Sequence, residues 1–155
     1  MGNKVAAVVS GVASIWTAAA GAQPADRRAE EFCSDLHRLV ESAEQDRGFA
    51  WLERARGTPP YLGFPGGGCR ANDDERRQYW LCSQQFAPES RSAEALAARV
   101  AACLPEAKRE AGTRRREARF TLPSARIHIT ETGGPGAHVG RIVELVVEAV
   151  PDPPD

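Results

Sequence analysis

Much of the familiar chemistry of proteins is missing from these 155 residues. There is no Gly-x-Ser-x-Gly elbow, no Ser-x-x-Lys and no His-Glu-x-x-His, so the linear signatures of common hydrolases are absent. No Cys-x-x-Cys knuckle occurs, which removes the spacing that structural zinc usually draws on. Glycine clusters at 66–68 and 133–136 follow no Walker pattern and lead into no helix, so they read as turns rather than phosphate loops. Asp73-Asp74-Glu75 lacks the alternating ligands and central glycine of a calcium loop. Charge of one sign is missing as well. The formal balance is −1, which gives no global field for nucleic acid or an anionic membrane. Lysine is nearly absent, with only Lys4 and Lys108 against a large excess of arginine. Together with heavy alanine usage, this points to a GC-rich bacterial genome. After residue 22 no stretch is apolar enough to span a bilayer.

What is present begins with an export signal. Lys4 supplies a basic start, a run of small and apolar residues follows, and Ala20-Gly21-Ala22 has the small-x-small form of a cleavage site. Residues 1–22 are therefore expected to be removed, leaving no membrane span and a mature charge of −2 once Lys4 is gone (19 basic against 21 acidic). The expected location is the periplasm or the medium outside the cell. A single domain over 23–150 and a disordered tail at 151–155 complete the division.

Four cysteines in an exported chain of this size imply two disulfides and three connectivities. The element pattern selects among them. Phe32, Leu36, Leu39, Val40 and Ala43 lie on one stripe at helical spacing, with Asp26 as cap and Gly48 as stop. Tyr61–Phe64 with Cys69–Ala71 reads as an interrupted strand, Asn72-Asp73-Asp74-Glu75 as a turn, and 77–86 as a second strand. A second helix opens near Pro88 with Ser90 or Ser92 as cap, buries Leu96, Val100, Cys103 and Leu104, and ends at Pro105. Residues 108–116 read as a charged linker. Residues 118–150 then give two strands around a Gly-rich turn, Phe120, Leu122, Ile127 and Ile129 preceding it and Val139, Arg141, Val143, Leu145, Val147 and Ala149 following.

The fold expectation is α+β: two helices packed on an antiparallel sheet of about four strands, in the order α-β-β-α-β-β. Antiparallel helices on that sheet bring Cys33 to Cys103, and the hairpin brings Cys69 near Cys82. That pairing is the preferred one, although the simplest register around the turn does not set Cys69 opposite Cys82.

Candidate chemistry is thin. His128 and His138 share a strand face if the hairpin closes mid-turn, with Glu131 nearby, and that trio could hold a metal. A solvated ribbon is the plainer reading, and neither metal nor cofactor is expected. Cys33 and His37 are four apart on a helix, a Cys-His pair of the kind a thiol enzyme needs. Arg109, Arg114-Arg115-Arg116 and Arg119 form a basic patch diluted by glutamates. Aromatic residues concentrate in the middle of the chain, so Trp51, Tyr79 and Trp80 are the candidate binding residues. The expectation is an exported, non-enzymatic interaction module, inhibitor-like in use, that meets a protein or an envelope component and no nucleic acid. A small hydrolase or thiol enzyme and a structural accessory of the envelope are the alternatives.

Overall fold

The alternating C-terminal third forms the middle of the sheet, and everything else is arranged around it. The computed structural model describes residues 24–45, 48–55, 57–65, 68–73, 77–110, 116–134, 138 and 140–150. The expected signal at 1–22, the tail at 151–155, Asp74-Glu75 and Arg114-Arg115 lie outside these residues. In chain order come α1 (Pro24–Glu44), a short α2 (Ala50–Arg54), β1 (Cys69–Asp73) and β2 (Gln78–Gln84). A single 3-10 turn (Glu89–Arg91) leads into α3 (Ala93–Cys103), followed by β3 (Lys108–Glu110), β4 (Glu117–Thr121), β5 (Ala125–Gly133) and β6 (Arg141–Ala149). All strand pairs are antiparallel, in the order β1-β2-β6-β5-β4-β3.

The class is α+β as the patterning implies, but the sheet has six strands rather than four. Two physical causes account for the difference. The first is Pro123-Ser124, which folds what reads as one strand into a tight hairpin closed by the Leu122 N–H on the Ala125 carbonyl at 2.9 Å. Proline cannot donate to a ladder, so it belongs at a turn. The second is β3, three charged and exposed residues in place of the expected linker. Its side chains bury nothing, and it exists because β4 offers an edge: Lys108 faces Thr121, Arg109 faces Phe120 and Glu110 faces Arg119.

One sheet face carries the core. Trp80, Cys82, Phe120, Ile127, Ile129, Val143, Leu145 and Val147 are buried there against Phe32, Leu36 and Leu39 of α1 and Leu96 and Val100 of α3. The stripe expected for the first helix is the buried stripe of α1. Ser92 caps α3, its Oγ accepting the Ala95 N–H at 3.3 Å, and the helix stops before Pro105. The opposite sheet face presents Tyr79, Leu81, Val146, His128 and Arg119, half-buried by one another, and no described helix packs on it.

Two disulfides hold the frame, Cys33–Cys103 between α1 and α3 and Cys69–Cys82 between β1 and β2. In the β1–β2 register Cys69 lies directly opposite Cys82, correcting the offset expected from a turn at 72–75. Asp73 explains the shift. Its carboxylate accepts the Phe49 N–H at 2.8 Å and also the Ala50 N–H, so it caps α2 and stays at the end of β1. Strand pairing therefore runs on to Asp73↔Gln78. Tyr61–Phe64 is a turn rather than a strand, with Leu62 buried at φ 50° and the Phe64 N–H on the Tyr61 carbonyl.

The α1–α3 link closes a loop of 70 residues and the β1–β2 link one of 13. Chain entropy then predicts losses of about 4 and about 3 kcal/mol when each is removed. Urea unfolding of the Cys33→Ala/Cys103→Ala and Cys69→Ala/Cys82→Ala proteins should reproduce that order. Equal midpoints for the three proteins would show that neither link restrains the unfolded chain.

Candidate functional site: an arginine-lined cleft

The aromatic candidates separate in the fold. Trp80 is fully buried, its indole N–H donating to the Pro60 carbonyl at 3.0 Å, and so it cannot meet a partner. Strand alternation puts it on the core face, and its size makes it a large part of that core. Trp51 on α2 is half-buried and donates to Ser42 Oγ at 2.8 Å, while that hydroxyl donates to the Gly48 carbonyl at 2.6 Å. Tyr79 lies on the open sheet face with the Arg77 guanidinium 5.7 Å from its ring centre. The three do not form one patch.

The other sequence candidates also disperse. Cys33 is in a disulfide and no described cysteine is free, so His37 has no thiol to activate and the thiol-enzyme reading falls. His128 points from the open face of β5, whereas Glu131, an odd number of residues on, points to the core side. Glu131 is committed there: it accepts the Ala93 N–H at 2.9 Å and Arg141 Nε at 3.0 Å. Among the described residues no three His, Cys, Asp or Glu side chains are grouped to hold a metal.

A cleft of about 980 Å³ lies instead where α1, the segment 58–63, the 3-10 turn and α3 meet. Its charged lining is Arg28, Glu30, Glu31, Asp35 and Arg38 from α1, Arg91 from the 3-10 turn and Arg99 from α3. One wall is fixed by α1. Asp35 accepts the Leu62 N–H at 3.0 Å, and Arg38 donates to the Thr58 carbonyl at 3.0 Å while lying 3.6 Å from Asp35. These bonds hold the turn at 61–64 against the helix.

The opposite wall is cationic. Arg99 lies over Phe32 with its guanidinium carbon 4.0 Å from the ring centre, and Arg91 lies over Phe64 at 5.4 Å. Arg91 donates to Gln84 at 2.9 Å and Arg99 to the Arg28 carbonyl at 3.4 Å. Both partners are neutral. Among the described residues no ion pair joins Arg28, Arg91 or Arg99 to a carboxylate. Burial lowers the Arg91 and Arg99 guanidinium pKa values from the ordinary range, and like charge lowers them further, from Arg28 in the first case and Arg91 in the second. Arginine stays protonated all the same. Three neighbouring cations without a direct ion pair among the described residues can receive an anion.

Part of this cleft has a signal in the sequence. Arg99 is one helical turn before Cys103 and Phe32 is next to Cys33, so the expected Cys33–Cys103 link carries that pair together. Arg28 and Arg91 leave no linear signal, because only the tertiary fold joins them. No protein-family model, curated protein or solved structure matches the chain, so the cleft stands on its own geometry.

Burial raises the Asp35 carboxyl above its ordinary value, against the Leu62 N–H, the Arg38 charge and the Tyr61 N–H, while Glu31 adds a smaller push upward. The folded chain thus holds this proton more tightly than the unfolded chain. Its contribution is fully present below the ordinary aspartate value of about 3.9 and is lost as pH rises through the raised folded value. Wild type should therefore lose stability relative to Asp35→Asn across that interval. Urea midpoints between about pH 3 and about pH 7 read the difference, and a constant gap would rule out the upward shift.

Proposed function

We propose that this chain is an exported, non-enzymatic binding module whose recognition site is the arginine cleft. The observation that carries the reading is the set of three arginines, Arg28, Arg91 and Arg99, which line one cleft and make no ion pair with a carboxylate among the described residues. Guanidiniums with fixed planes are suited to oxyanions, through charge-assisted and forked hydrogen bonds. The partner is a protein or an envelope component that presents an acidic group.

Export is supported by the N-terminal pattern of residues 1–22 and by two disulfides, which persist in oxidising compartments. No helix among the described residues is long and apolar enough to cross a membrane. A second surface has one observation in its favour: the open sheet face carries Tyr79 beside Leu81 and Val146. It serves as the control.

Affinity capture from the native periplasmic or culture fraction tests the reading. Charge reversal at Arg91→Glu with Arg99→Glu should weaken capture by roughly tenfold or more, since each lost charged hydrogen bond is of the order of a factor of ten. Arg126→Glu on the open sheet face should leave it unchanged. Capture that survives the first pair and fails with the second would move the site to the sheet.

A further inference from the structure

We infer that the anionic group taken by Arg28, Arg91 and Arg99 is a phosphomonoester, and that the rest of the ligand is a hydroxylated unit of the sugar type. The inference rests on the cleft being the recognition site. Charge comes first. Arginine cannot shed its proton to relieve the repulsion among these cations, and no carboxylate among the described residues pairs with them directly, so an incoming anion relieves it best. A carboxylate or a sulfate ester supplies one negative charge, whereas a phosphomonoester supplies about −1.5 to −2 near neutral pH.

Shape agrees with charge. The guanidiniums come from α1, the 3-10 turn and α3, three separate elements. Phe32 and Phe64 hold the faces of Arg99 and Arg91, which leaves their N–H edges to serve oxygen acceptors. A planar carboxylate matches one such fork, while a phosphoryl group offers three oxygens to donors from three directions.

Size and the remaining lining define the rest of the ligand. About 980 Å³ is at the upper end of small-molecule sites, so a bare phosphate would occupy a corner of it. The same cleft is also lined by Glu30, Glu31 and Tyr61. Carboxylates accept from hydroxyl groups and an aromatic ring covers a sugar face. The same carboxylates repel a second anionic group, which argues against polyphosphate, nucleic acid or any other polyanion.

Calorimetric titration of the full-length, disulfide-intact protein at fixed ionic strength tests this, with acetate, inorganic phosphate, a hexose 1-phosphate and a phosphoserine peptide as probes. Phosphate should bind roughly tenfold more tightly than acetate, and the hexose phosphate more tightly than either. Affinity for phosphate should rise as pH climbs through about 6, where the second proton leaves. Arg99→Ala should cost roughly tenfold, and Arg99→Lys, which keeps the charge without the fork, should recover only part of it. Equal binding of acetate and phosphate overturns the inference, as does a phosphopeptide that outcompetes the hexose phosphate. If no phosphate compound binds while capture still depends on Arg91 and Arg99, this inference fails and the cleft remains the recognition site. If capture ignores both arginines, the two readings fail together.

Discussion

The covalent tie between Cys33 and Cys103 is the constraint on which the rest of the molecule depends. Helix α3 has only 11 residues, too few to be stable in water by itself, and it must be held by its surroundings. At its C-terminal end it is bonded to α1. At its N-terminal end the Ser92 hydroxyl caps it and Glu131 of β5 accepts the Ala93 N–H, a carboxylate placed where the helix dipole favours negative charge. Glu131 is oriented in turn by Arg141 of β6, which also pairs with Glu89 of the 3-10 turn. The helix is thus fixed at both ends, by α1 at one and by the sheet at the other. Arg99, one turn from the disulfide, and Arg91, just ahead of the cap, inherit those positions.

How far the sequence could be read depended on whether a feature was periodic or tertiary in origin. The stripe of α1, the buried residues of α3 and the alternation of β5 and β6 follow from spacing alone, and each is where that spacing puts it. The split between β4 and β5 was also written in the chain: buried positions are even at Phe120 and Leu122 and odd at Ile127 and Ile129, a change of phase that one strand cannot make. Pro123 stands at the change. By contrast β3 has no pattern of its own and is stabilised by a ladder to β4, by the Thr121 hydroxyl on Glu110 and by the Arg109–Glu94 ion pair. The register of β1 escaped for a similar reason. An Asp in an Asn-Asp-Asp-Glu run reads as a turn residue, and only its service to α2, distant in sequence, keeps Asp73 in the strand.

The same distinction explains why the aromatic residues misdirected attention. Trp and Tyr carry large contact areas, so in a short chain with a limited core they go first to the interior, and Trp80 does so completely. The cleft is built instead from residues that composition makes ordinary. Arginine is the common cation of this chain, and nothing local separates Arg91 or Arg28 from the rest. What separates them is that they meet in one cleft without a direct ion pair among the described residues. Arg109, Arg119 and Arg141 each meet a glutamate, whereas Arg91 and Arg99 meet carbonyl, amide and ring groups, and Arg28 forms no ion pair among the described residues.

Gathering half-buried like charges costs stability, and a small domain has little of it to spare. The fold offsets that cost locally. Ring faces under Arg91 and Arg99 supply cation–π attraction, and neutral acceptors satisfy some of their N–H groups without cancelling charge. On the facing wall Asp35 is partly desolvated to hold the turn at 61–64, where Leu62 sits at positive φ with its side chain in the core. Both walls therefore retain groups that would be more stable in water, and each is held by contacts already formed before any ligand arrives. A site organised in that way loses little freedom on binding, and the repulsion stored among the three guanidiniums is released by the anion that enters. Neutralising them by mutation should stabilise the empty fold while it weakens recognition, the opposite of what arginines serving only the fold would do.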